Sequence, residues 1–167
     1  MKNEKVIYWA GPLFTQAERT WNRLCAHALI SMGYNVILPQ DEANKFITDG
    51  KVDFQSLAED CRRHSCESTY MVAILDGSDT DSGTSLEIGL RLANNRPVIG
   101  VRTDFRQAED GCLNGMFRLI TRVVYFPSFN ESHEELCILI DEAIRSVGAM
   151  EASFCDLKQL VKNDPLL

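Results

Sequence analysis

The sequence predicts an α/β fold, and three observations carry that prediction. Short apolar runs alternate along the chain with longer segments of helical period, the pattern of repeated strand and helix units. Two of those runs, Val72-Ala73-Ile74-Leu75 and Val98-Ile99-Gly100-Val101, are apolar throughout, as central parallel strands covered on both faces must be. The chain has 167 residues, 45% of them hydrophobic, with no low-complexity linker and no internal repeat, so a single core accounts for it.

The elements follow in order. A first strand at Val6-Ala10 leads into a helix at Gln16-Met32, whose stripe is Trp21, Leu24, Cys25, Ala28 and Leu29 and whose stop is Gly33. A strand at Asn35-Leu38 precedes a loop over Pro39-Asp53 and a helix at Phe54-Glu67. The two apolar runs make strands at Tyr70-Leu75 and Pro97-Val101, separated by a helix at Thr84-Asn94. A strand at Arg122-Phe126 is followed by a helix at Glu131-Val147, with Leu136, Leu139, Ile140, Ala143 and Ile144 as its stripe, then Gly148 and a further helix at Ala152-Lys162. The architecture expected is a doubly wound, flavodoxin-like or Rossmann-like, five-stranded parallel sheet with helices on both faces. Residues 1-148 form the domain, and residues 149-167 form a helical tail that packs on it or on a neighbouring subunit. Right-handed crossovers place a ligand at the carboxyl ends of the strands, where the strand order reverses.

Composition excludes several classes. With 17 Lys+Arg against 24 Asp+Glu the net charge is −7, the wrong sign for a protein that grips polynucleotide by its phosphates. The six cysteines show no paired rhythm and the amino terminus carries no apolar signal stretch, which predicts reduced thiols and a cytoplasmic location. No run of 18 apolar residues exists to span a membrane. Cys61, His64 and Cys66 lie close together, but no second ligand pair follows at zinc-finger spacing, so no metal is expected.

The first loop, Gly11-Pro12-Leu13-Phe14, lacks the glycine spacing of a dinucleotide or P-loop cradle, while Tyr8 lies near its strand's end. The richest stretch runs from Ile74 to Gly89, a buried strand entering a loop with Asp76, Asp79 and Asp81 and then a helix bearing Glu87. Calcium fails there, because counting an EF-hand from Asp79 puts Thr84 and Leu90 where Gly and Glu are required. Two readings stay open. Thr84-Ser85-Leu86-Glu87 fits a capping box. The crowded carboxylates at a strand end also fit catalysis, since neighbouring charge and desolvation raise a carboxyl pKa into the range of a useful acid.

Read together, Ile7-Tyr8-Trp9-Ala10-Gly11-Pro12-Leu13-Phe14, Asp81-Ser82-Gly83-Thr84-x-x-Glu87-Ile88-Gly89, Arg96-Pro97-Val98-Ile99-Gly100 and Asn114-Gly115-Met116 resemble the nucleoside 2-deoxyribosyltransferase family, over about residues 5 to 145. The resemblance implies exchange of a 2-deoxyribosyl group between bases through a covalent glycosyl-glutamate. Glu87 matches the nucleophile and Tyr8 the tyrosine that orients it; Asp81 matches the aspartate on the sugar's hydroxyl end. Gly11, Phe14 and Gly83 fall in the matching substrate-binding segments. Asn114 and Met116 match residues donated across a subunit interface, which implies a homo-oligomer with shared sites. The family's aspartate near the base aligns with Asp60 or Asp76, and Asp76 also belongs to the cluster that would supply the acid.

The chemistry agrees. An oxocarbenium-like state can be trapped by one nearby carboxylate, and the lack of a 2′-hydroxyl eases that cation, so neither metal nor cofactor is required. The partners expected are a small-molecule nucleoside and a nucleobase. Two other functions fit the same residues: an N-glycosidase acting on deoxynucleosides or nucleoside 5′-monophosphates, and a non-catalytic nucleotide-binding domain. Arg102, Arg106 and Arg118 are candidate phosphate ligands, against the commoner reading of solvated arginines on a loop.

Overall fold

The computed structural model describes residues 5–107, 109, 113–128 and 132–162, with side chains in the last helix described as far as residue 149. Five parallel strands form the sheet in the order β2-β1-β5-β6-β7: β1 (Val6–Ala10), β2 (Asn35–Ile37), β5 (Tyr70–Ile74), β6 (Ile99–Arg102) and β7 (Arg122–Tyr125). The expected doubly wound α/β fold is therefore the fold observed. The chain leaves β1 for the edge strand β2 and returns to the other side of β1 at β5, in the register Ile7 to Tyr70 and Tyr8 to Met71. That reversal between β1 and β5 is the topological switch point, and it locates the cleft.

Strand alternation sorts the core into two layers. Ile7 and Trp9 of β1, with Val72 and Ile74 of β5, pack with α1 (Gln16–Ser31) and α5 (His133–Lys162). Tyr8 and Ala10, with Met71 and Ala73, face the side that carries α3 (Phe54–Glu67) and α4 (Ser82–Ala93). Tyr8 reaches the candidate site because it occupies an even position of that strand.

The local signals explain most boundaries. Thr15 and Glu18 form a capping box at the start of α1, with Thr15 Oγ1 accepting from the Glu18 amide at 3.2 Å and Glu18 Oε2 accepting from the Thr15 amide at 2.7 Å. Gly33, at φ 94°, ends it as expected. Strand ends shift by a residue or two: the run Pro97-Val101 becomes a strand only from Ile99 and extends to Arg102.

Three expectations are corrected. The segment read as a loop over Pro39-Asp53 contains a short helix, α2 (Pro39–Glu42), a 3₁₀ turn (Ala43–Phe46) and a two-stranded antiparallel hairpin, β3 (Ile47–Thr48) with β4 (Lys51–Val52). Asp49 and Gly50 both have positive φ, 51° and 73°, the primed turn that an Asp-Gly pair favours. The fourth helix begins at Ser82 rather than Thr84 because Asp81 caps it. Finally, the two helices expected on either side of Gly148 are one helix. Gly148 does not stop α5; it lets α5 approach β5, since a Cβ there would stand 3.3 Å from the Tyr70 hydroxyl. The expected helix start at Glu131, Cys112, and the side chains of the tail from residue 150 onward lie outside the described residues.

Among the described residues no helix is long and apolar enough to cross a membrane, and Cys25, Cys61, Cys66 and Cys137 are free thiols.

Candidate active site

Capping of α4 falls to Asp81 and leaves Glu87 free. Asp81 Oδ2 accepts from the Thr84 amide at 2.9 Å and the Thr84 hydroxyl at 3.1 Å, so the first turn of α4 is closed without Glu87. Glu87 then falls in the second turn and faces the sheet. There its Oε1 accepts from the Tyr8 hydroxyl at 2.6 Å. These residues are separated by 79 positions in the chain and meet because β5 pairs with β1 and α4 packs on β5.

The environment makes this carboxyl unusual. Burial pushes its pKa from 4.5 up to about 7, and the nearby Asp81 charge adds to the rise while the Tyr8 hydrogen bond opposes it. Tyr8 is 1% exposed, and burial together with the Glu87 charge drives its hydroxyl far above the ordinary phenol value, so it remains a donor. Near neutrality Glu87 divides between a charged form able to attack a carbon centre and a neutral form able to give a proton. Glu87 and Gly83 line a cavity of about 540 Å³ between α3 and α4, together with Cys61, Arg62 and Leu86.

A buried polar network holds the loop after β1. Trp9 Nε1 donates to Asn22 Oδ1 at 3.0 Å, Asn22 Nδ2 donates to the Pro12 carbonyl at 3.1 Å and to Gln40 Oε1 at 3.0 Å, and Gln40 Nε2 donates to the Arg19 carbonyl at 2.9 Å. This network fixes Gly11 to Phe14 at the end of β1. Gly11 is packed so closely that a Cβ would stand 3.0 Å from Ile74, whereas the Phe14 ring is 71% exposed at the loop.

The other expected residues are placed as follows. Asp76 accepts from the Thr103 amide at 2.7 Å, the Thr103 hydroxyl at 2.6 Å and the Asp104 amide at 3.1 Å, which makes it an anchor between the ends of β5 and β6. Asp60 turns toward Arg63 and His64 rather than to Glu87. Its neighbour Cys61, rotated about 100° around the helix, is the residue that lines the cavity of Glu87. Asn114 and Met116 stand in a different cavity, of about 370 Å³, against Ser85, Ile88 and Gly89. Helical spacing sets that face of α4 roughly opposite the face of Gly83 and Glu87. Within one subunit they therefore do not join Glu87. Arg102 is buried and donates to the carbonyls of Leu75, Gly77 and Arg106, and Arg106 is paired with Asp104. Two of the three candidate phosphate ligands are thus engaged in the fold.

Among the described residues Glu42, Asp60 and His64 offer ligand atoms within 4.8 Å of one another. Lys45 and Arg63 already supply cations to that group. Sequence reasoning missed Asn22 and Gln40, which no local pattern marks because each acquires its role from a partner distant in the chain.

A doubly wound sheet with a glutamate of raised pKa held by a tyrosine beside its switch point defines an α/β protein of enzyme character. The chain matches the family model described as Nucleoside 2-deoxyribosyltransferase over residues 7–152, and it belongs to that family. This places it in a family of enzymes that act on small-molecule nucleosides and nucleobases. A conserved protein from Enterococcus faecalis V583 is similar in structure, with 28% identity, a TM-score of 0.67, and coverage of 84% of this chain and 99% of that one. A 2-deoxyribosyltransferase from Bacillus psychrosaccharolyticus shares the fold at 18% identity and a TM-score of 0.61, over 78% of this chain and 89% of that one. A CMP N-glycosidase from Clostridium botulinum shares it at 19% identity and a TM-score of 0.54, over 83% and 99% respectively. No curated protein sequence matches the chain.

Replacing Tyr8 by phenylalanine removes the donor that favours the charged form of Glu87. The expected result is a folded protein whose turnover at neutral pH falls about tenfold and whose acid limb moves to higher pH. A pH profile equal to that of the wild type would reduce Tyr8 to a packing role.

Proposed function

We propose that the protein transfers the 2-deoxyribosyl group of a 2′-deoxynucleoside to an acceptor nucleobase through a covalent intermediate on Glu87. The observation that carries this reading is the 2.6 Å contact between the Tyr8 hydroxyl and a half-buried Glu87 at the edge of a cavity beside the switch point. In the first half-reaction a Glu87 oxygen bonds to the anomeric carbon as the glycosidic C–N bond breaks, and the departing base nitrogen takes a proton from solvent. In the second, a ring nitrogen of the incoming base bonds to that carbon, loses its proton, and releases the Glu87 carboxylate. One carboxylate serves both halves.

Asp81 favours a nucleoside over a 5′-monophosphate. Its Oδ2 is occupied in capping, and Oδ1 is left to accept from a sugar hydroxyl, whereas a phosphate would meet a like charge. The test is incubation with a 2′-deoxynucleoside, with and without a second free base, followed by chromatography. A new nucleoside supports transfer. Free base alone in both arms makes the protein an N-glycosidase, and no reaction removes both readings.

The separation of Asn114 and Met116 from Glu87 supports sites completed between subunits of a homo-oligomer. Met116 is 70% exposed, an apolar side chain placed to enter a neighbour. Mixing Glu87→Ala with Asn114→Ala is expected to restore activity, to about a quarter of wild type if subunits pair two by two, since half the pairs are mixed and half of their sites carry neither lesion. Inactive parents that fail to complement after verified exchange would return Asn114 to its role as the cap of the 3₁₀ turn at Gly115–Leu119.

A further inference from the structure

Besides Glu87, two charged side chains line the cavity between α3 and α4, Glu59 and Arg62. Glu59 Oε1 accepts from Gln55 Nε2 at 2.6 Å. The Arg62 guanidinium has no hydrogen-bond or ion-pair partner among the described residues, whereas the next arginine, Arg63, is paired with Asp60. Ala58, Leu86 and Leu90 supply apolar walls, and Leu86 is 66% exposed, an uncovered surface suited to the face of a planar ring.

We propose that Arg62 selects the nucleobase, its guanidinium fork donating to N7 and O6 of a 6-oxopurine, and that it stabilises this base as it leaves. The proposal rests on the reading of Glu87 as the nucleophile. As a Glu87 oxygen bonds to the anomeric carbon and the bond from that carbon to N9 breaks, the electron pair passes to the base and spreads over N7 and O6. Charge-assisted hydrogen bonds at those atoms strengthen as the charge develops, which favours the transition state over the bound nucleoside. Arg62 keeps its own protons, and water protonates the base on release. The carboxyls expected to act as the acid are engaged elsewhere: Asp76 by Thr103 and Asp104, Asp60 by Arg63, and Asp81 by the first turn of α4. Adenine carries an amino donor where a 6-oxopurine carries an acceptor, so it meets the guanidinium donor to donor.

The experiment compares wild type, Arg62→Met and Arg62→Lys on 2′-deoxyinosine and 2′-deoxyadenosine. Initial rates of base release give kcat/KM, and calorimetry measures the binding of free hypoxanthine and free adenine. Wild type is expected to favour 2′-deoxyinosine about tenfold or more. Arg62→Met, which keeps the length of the side chain without its donors, is expected to lose roughly thirtyfold on 2′-deoxyinosine and less than about threefold on 2′-deoxyadenosine. Arg62→Lys, with the charge but not the fork, should recover only part of that loss. Arg62 is exposed, so these changes leave the fold in place. A loss on 2′-deoxyinosine no greater than that on 2′-deoxyadenosine overturns the proposal, as does a wild type that prefers 2′-deoxyadenosine. A wild type that releases base from neither nucleoside sinks the functional reading instead. The calorimetry then decides Arg62: weaker binding of hypoxanthine alone in Arg62→Met upholds the contact, and equal effects on the two bases overturn it.

Discussion

Replacing Glu87 by alanine is expected to lower turnover by at least roughly a thousandfold, since the covalent step has no other carboxylate in hydrogen-bonding contact with Tyr8 among the described residues. The same change is expected to preserve the fold, because Asp81 and not Glu87 caps α4. Its effect on stability has a definite sign. A carboxyl whose pKa is raised by folding, here from 4.5 to about 7, contributes its full stability below 4.5 and loses it as the pH rises toward 7. The wild type should therefore lose stability relative to Glu87→Ala across that window, by an amount on the order of 2 kcal/mol after allowance for partial solvent exposure. Chemical unfolding at pH 4.5 and pH 7.5, beside an assay of base release, checks both halves. Turnover within tenfold of wild type, or stability curves that stay parallel, would contradict them. A group that costs stability at working pH is what a functional carboxylate held in a poorly solvated place is expected to be.

The second large effect concerns stability alone. Arg91 on α4 is 0% exposed, and its guanidinium donates to the carbonyls of Pro97 at 2.8 Å, Ser65 at 2.8 Å, Ser68 at 3.0 Å and Thr69 at 2.9 Å. It joins the carboxyl end of α3 to the starts of β5 and β6. Those helix-end carbonyls carry the negative pole of α3, which favours a cation there. Removing the side chain leaves buried acceptors without these donors, so Arg91→Ala is expected to cost about 3 to 5 kcal/mol and to lower Tm by roughly 10 °C. Arg91→Lys should recover little, because one ammonium cannot span four carbonyls on three sides of a planar fork. Urea unfolding measures the loss. The folded fraction should keep its kcat/KM within a factor of about two, since Arg91 clamps the amino-terminal ends of the strands, away from the cleft. A loss below 1 kcal/mol would show that water replaces the clamp.

Much of this was legible in the chain itself. The span of β1 and α3 and the stop of α1 at Gly33 follow from apolar periodicity and turn chemistry, which act over a few residues and so are written locally. The turn of the Asp49-Gly50 hairpin is equally local, but strands of two residues each carry no periodic signal. Gly148 shows the opposite case, where a residue suited to end a helix serves instead to let α5 approach Tyr70. A breaker signal states only what the backbone can do.

What the sequence by itself determined is the α/β architecture, the family, and the candidacy of Tyr8 and Glu87, all of which depend on local pattern or on motif. What only the tertiary structure decided is which side chains meet. Whether Asp60 or Cys61 faces the cavity of Glu87 turns on a rotation of about 100° between adjacent helical residues, and that angle is set by how α3 packs on the sheet. Whether Asp76 is an acid or an anchor depends on Thr103 and Asp104, which come within reach only when β6 pairs with β5. The pKa of Glu87 arises likewise from burial beneath elements far away in the chain. Electrostatics and hydrogen bonding act through space, and the distances that govern them exist only once the chain has folded.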